Sequence, residues 1–170
     1  MEGAGGRGVT SSLRPGIIAA VATLLIDQAS KLWLLYVFDL GHRGRVQLTP
    51  FFDLELAWNI GISFGWLQND SQFVQFGLMA VKALAVVALA IWMARSRTPL
   101  ATIALGLIIG GAIGNAIDRL AYGAVVDFAL FHIGNTFYWY VFNLADTAIV
   151  AGVFALLYDS FLGVGAAKAP

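Results

Sequence analysis

The sequence contains no cysteine among its 170 residues, which excludes a disulfide framework, a thiolate zinc site, an iron–sulfur cluster and a cysteine nucleophile together. Histidine is nearly as scarce. His42 and His132 lie far apart and lack metal-ligand spacing such as H-E-x-x-H, so neither a metal nor a cofactor is expected. Charge is sparse at 12%, the signs are interspersed and the formal net charge is zero. No stretch joins dense Lys/Arg to exposed aromatics, so nucleic acid is set aside as a partner. What the chain has in excess is apolar surface: 59% of residues are hydrophobic and the mean hydropathy is +0.80, more than a soluble domain of this length can bury. Its solvent is lipid.

Residues 1–14 are Gly-rich and polar and read as a disordered cytoplasmic lead. Apolar runs follow at about residues 17–38, 73–93, 100–120 and 139–161, each of roughly 20 residues or about 30 Å as helix, the thickness of a hydrocarbon core. They predict an all-α membrane protein with four transmembrane helices, a membrane domain over residues 15–161 and a short cytoplasmic tail over 162–170. Ala20-Val21-Ala22 imitates a signal-peptide cleavage site, but the apolar stretch before it is too short for an h-region. Arg7, Arg14, Arg95, Arg97 and Lys168 fall on one side against Arg43 and Arg45 on the other, so both termini are expected in the cytoplasm.

The first outer loop, residues 39–71, is too long for a plain connection. Phe52, Leu54, Leu56 and Trp58 alternate there with Asp53, Glu55, Ala57 and Asn59, and Ile62, Phe64 and Trp66 resume the pattern after a turn at Asn59-Ile60-Gly61. A small extracytoplasmic β-sheet over about residues 46–68 is expected, able to hold an extended peptide on its edge.

Ionisable groups inside spans are expensive and need a partner or a task. Asp27 and Lys31, four apart with the acid first, suit an ion pair on one helical face. Ser30-Lys31 does not make a serine–lysine dyad, because helical neighbours point about 100° apart. Gly110, Gly111 and Gly114 suit close helix packing, with Asn115, Asp118 and Arg119 as a polar knot beyond them. Lys82 is expected to pair with Asp27 or to snorkel. Asp127 and Asp146 sit in apolar company without an adjacent Lys or Arg, at similar depth near the outer interface, as a carboxylate pair sharing one proton would. A proton-coupled transporter or a non-enzymatic scaffold also accommodates such acids; no internal repeat is visible to favour the transporter.

Asp27-Gln28-Ala29-Ser30-Lys31, Asn59-Ile60-Gly61-Ile62-Ser63-Phe64-Gly65, Gly114-Asn115-Ala116-Ile117-Asp118-Arg119, Val126-Asp127-Phe128 and Phe142-Asn143-Leu144-Ala145-Asp146 occur in this order. Together they resemble the motifs of the lipoprotein signal peptidase family, signal peptidase II, with Ser63 where that family often has alanine. The resemblance implies an aspartic endopeptidase of the bacterial inner membrane with its active site near the outer face. Asp127 and Asp146 would be the catalytic acids. Asn59, Gly61, Asn115, Arg119, Asn143 and Ala145 would support them or touch substrate, while Asp27, Lys31 and Asp118 would be structural. The implied partners are a diacylglyceryl-modified prolipoprotein, membrane lipid and the family's cyclic peptide inhibitors, acting on a monomer.

Overall fold

The computed structural model describes residues 9–60, 72–96, 98–134 and 136–166. Four long helices carry most of it: α1 (Val9–Leu32), continued by a π-helical turn at Trp33–Val37, then α3 (Gln72–Arg95), α4 (Pro99–Tyr122) and α5 (Leu144–Ala166). α2 (Leu40–Arg43) is a single turn after the first. Because α1 begins at Val9, its first residues lie inside the stretch read from sequence as a loose lead.

Among the described residues, Leu13–Val37, Pro99–Tyr122 and Leu144–Phe161 are long and apolar enough to cross a membrane. Exposed Ile17, Ile18, Val21 and Leu25 on α1, and Val150, Val153, Phe154 and Leu157 on α5, form apolar outer surfaces that suit lipid rather than water. α4 is the central helix. Thr98 caps it, its hydroxyl accepting from Ala101 N–H at 3.1 Å with Pro99 in the first turn, and Gly123 ends it in the left-handed region. Between these caps Gly106, Gly110 and Gly114 make a stripe at every fourth residue that meets Gly16, Ala20 and Asp27 of α1, while Gly111 meets Ala145 of α5. Without side chains on the stripe the backbones approach closely enough for dispersion and polar contacts to hold them, which apolar burial cannot do in lipid.

A four-stranded antiparallel sheet in the order β1-β2-β3-β4 sits where α1 and α4 end and α3 and α5 begin. β1 (Val46–Thr49) and β2 (Phe52–Asn59) come from the loop after α1, β3 (Val125–Ile133) and β4 (Phe137–Tyr138) from the loop after α4. This corrects the expectation of a sheet confined to the first loop. The residues expected to supply its later strand, 61–68, lie outside the described residues, and β2 pairs with β3. The expected fourth span also starts later than residue 139: Phe137 and Tyr138 are strand, and α5 opens only at Leu144.

The alternation on β2 places Phe52, Leu54 and Leu56 against a cluster of Leu34, Leu40, Phe128 and Ala129. It is broken by a bulge: Leu54 faces Ala129, but Ala57, not Leu56, faces Asp127. The extra residue puts a small side chain opposite the acid and carries Asn59 to the end of the strand beside it.

Candidate active site

Asp127 is on β3 and Asp146 on the first turn of α5, and the chain between them folds back on itself to bring the two together. Phe142 exchanges backbone hydrogen bonds with Ala129, N–H to O at 2.8 and 2.9 Å, which lays residue 143 beside β3. Asn143 then starts α5. Its Oδ1 accepts the N–H of Asp146 at 2.9 Å, and Asp146 Oδ2 accepts the N–H of Asn143 at 3.3 Å, a reciprocal capping arrangement that satisfies two of the donors left open at a helix start.

The same asparagine serves the other acid. Asn143 Nδ2 donates to Asp127 Oδ1 at 2.6 Å and to Asn115 Oδ1 at 3.0 Å, and Asn59 Nδ2 donates to Asp127 Oδ2 at 3.0 Å. Asn115 Nδ2 donates to Asp146 Oδ1 at 2.8 Å. Both carboxylates are therefore held on Asn143, each with a second amide on its other oxygen. Asp127 is 1% exposed, whereas Asp146 is half-buried and open on one side. Burial raises the Asp127 carboxyl above the usual aspartate range, with the charge of Asp146 adding to it, and the hydrogen bonds from Asn59 and Asn143 only partly offset this.

Beneath the pair lies a buried charged cluster. Lys31 Nζ donates to Asp27 Oδ2 (2.8 Å) and Asn115 Oδ1 (3.1 Å) and forms an ion pair with Asp118 Oδ2 (2.7 Å). Two acids on one ammonium would be costly if any partner were missing; breaking a buried pair of this kind costs about 3–5 kcal/mol. Lys82 is not part of it: rather than meeting Asp27, it lines a cavity of about 760 Å³ between α3 and α4, with Asn115, Arg119 and Ile149. Arg119 Nη1 donates to Asn115 O at 3.0 Å, and its buried Nε has no hydrogen-bond partner among the described residues.

Of the residues singled out from sequence, Asp127, Asp146, Asn59, Asn115, Asn143 and Arg119 converge here. Ala145 is fully buried with its N–H on Asp27 Oδ1 at 2.9 Å. Gly61 lies outside the described residues. Gln28 is a further residue of this cluster, its amide donating to Asp118 Oδ1 at 2.9 Å; a polar side chain within a span is the sequence signal that marks it.

The sequence profile described as Signal peptidase (SPase) II matches residues 19–162. The chain is 74% identical over 161 residues to a lipoprotein signal peptidase of Nitrobacter hamburgensis, covering 93% of this chain and 98% of that one. It is 66% identical over 161 residues to a lipoprotein signal peptidase of Rhodopseudomonas palustris, with the same coverage of 93% and 98%. Among solved structures, one described as a bacterial membrane enzyme superposes with a TM-score of 0.73 at 25% identity, over 92% of this chain and 93% of that one.

Proposed function

Because the chain belongs to the signal peptidase II family, a family of membrane proteases, we propose that it is an aspartic endopeptidase that removes signal peptides from diacylglyceryl-modified prolipoproteins, cutting on the N-terminal side of the lipidated cysteine. The observation that carries the aspartic mechanism is the shared Asn143, which bonds Asp127 and Asp146 at once and gives two acids a common amide scaffold. One carboxylate, ionised, takes a proton from water as the water oxygen attacks the scissile carbonyl. Its protonated partner donates to the forming oxyanion, and collapse of the tetrahedral species sends a proton to the leaving amine of the cysteine. No covalent intermediate is required. The burial of Asp127 favours keeping the proton there, with the more open Asp146 beside the water.

α3 is read as a span alongside α1, α4 and α5, with both termini in the cytoplasm and the sheet on the outer side; this fits the apolar length of α3 and the basic residues at Arg95 and Arg97. The acids then lie near the outer headgroups, at the depth where a lipid-bearing cysteine holds its peptide bond. The edge of the sheet suits an extended peptide, and the apolar walls of the cavity beside Arg119 suit acyl chains. The protein is taken to act as a monomer and to bind the family's cyclic peptide inhibitors.

Asp127→Asn and Asp146→Asn are each expected to lower cleavage of a lipidated precursor by about 10³-fold or more, while the protein still inserts in membranes at wild-type levels. Normal processing by either variant refutes the mechanism.

A further inference from the structure

The acids Asp27 and Asp118 each hold more than the lysine between them. Asp27 Oδ1 accepts the N–H of Ala145 at 2.9 Å, and Asp118 Oδ2 accepts the N–H of Val126 at 3.1 Å. Ala145 is the residue before Asp146, and Val126 is the residue before Asp127. Two buried carboxylates on different helices thus grip the backbone N–H of the residue that precedes each acid of the pair, on two further elements, α5 and β3.

Gln28 joins the two grips. Its Nε2 lies 2.9 Å from Asp118 Oδ1, 3.2 Å from Asp27 Oδ2 and 3.2 Å from Gly114 O. Lys31, one turn further along α1, bonds the same two carboxylates. We infer that Gln28, acting through Asp27 and Asp118, is a positioning residue for the reaction: the turn from Asp27 to Lys31 is a rigid gauge that sets the spacing of Asp146 and Asp127. This inference rests on the aspartic reading given above.

A network serving only to fasten α1 to α4 needs no bond to β3 or α5. Here one oxygen of each carboxylate reaches outside that helix pair, and in both cases ends one residue short of a reacting acid. Because α5 and β3 hold the backbone dihedrals between the two residues, fixing the N–H at the preceding residue also sets where the acid's Cα stands and leaves chiefly its side-chain rotamers free. The glycine at 114 belongs to the same device, since a Cβ there would stand 2.5 Å from Asp27 Oδ2.

The test is steady-state cleavage of a diacylglyceryl-modified precursor peptide by the purified full-length protein in detergent, with kcat counted per folded molecule from circular dichroism and a thermal melt. Gln28→Met keeps the length and removes the donor. It is expected to lower kcat about tenfold with KM within about twofold, since small misplacements of reacting groups cost rate rather than binding. Asp118→Asn, which keeps the shape and an acceptor for Val126 N–H but disturbs the partners of Lys31 and Gln28, is expected to give the same split. Wild-type kcat in folded Gln28→Met, or a change confined to KM or to the melting temperature, overturns the positioning role. Asp127→Asn is run alongside: normal cleavage by that variant refutes the aspartic reading itself, whereas its inactivity together with full activity of Gln28→Met refutes the gauge alone.

Discussion

At Asp127 the neutral carboxyl is favoured by burial and by the charge of Asp146, and the anion by the amides of Asn59 and Asn143. Folding raises this carboxyl above its ordinary value of 3.8, so the folded chain holds the proton longer than the unfolded chain does. Between that value and the raised one, the group lowers stability as pH rises. Activity that needs one protonated acid therefore falls as pH increases through the raised value, and the alkaline limb of kcat/KM lies above the ordinary aspartate range. Asn59→Ala removes a bond that favours the anion, so it is expected to move that limb to higher pH in a kcat/KM profile with a lipidated substrate; a move to lower pH contradicts the assignment. The sequence motifs picked out Asp127, Asp146 and Asn143, but not that Asn143 serves both acids. That fact depends on Phe142 pairing with Ala129, which no local pattern announces.

Element by element, the apolar run over residues 100–120 located α4 to within two residues of each end, and the caps at Thr98 and Gly123 that fix those ends are local chemistry. The alternation over residues 52–58 located β2, but its partner was misread, since periodicity tells which face is apolar and not which strand lies alongside. β3 was missed as a strand for a related reason: Val125 to Leu130 are buried on both faces, so they show no alternation. The glycine stripe of α4 carries its own test. Gly114→Ala pushes a Cβ into Asp27 Oδ2 at 2.5 Å, a clash expected to cost about 1–3 kcal/mol and to lower both the melting temperature in detergent and the cleavage rate. Gly123→Ala meets nothing within 4 Å, and only its left-handed backbone, φ +75°, resists the side chain, at about 1 kcal/mol. It is expected to change the melt slightly and the rate hardly at all. Equal effects of the two changes would mean that the close approach of α1 and α4 does not matter to the site.

For the molecule as a whole, the reading of four spans with both termini inside makes the sheet extracytoplasmic. Alkaline phosphatase fused after Gly44 or after Gly134 is expected to be active in cells, and fused after Ser96 inactive, because the enzyme matures only outside the cytoplasm. Activity after Ser96 would reverse the orientation and move the acids to the inner face. The exposed apolar sides of α1, α3 and α5 fit this membrane placement, as does the polar interior gathered at one end of the bundle.

The sequence by itself determined the solvent, the long helices and the family, and it singled out the two acids as candidates, because hydropathy and short motifs are properties of contiguous residues. Only the tertiary structure decided which groups touch. The pairing of β2 with β3, the bulge that sets Ala57 opposite Asp127, and the bond from Asp27 on α1 to the N–H of Ala145 join positions far apart in the chain. The reach of Asp27 from α1 depends on how close the glycines of α4 let the helices come, and spacing along the chain carries no record of that distance.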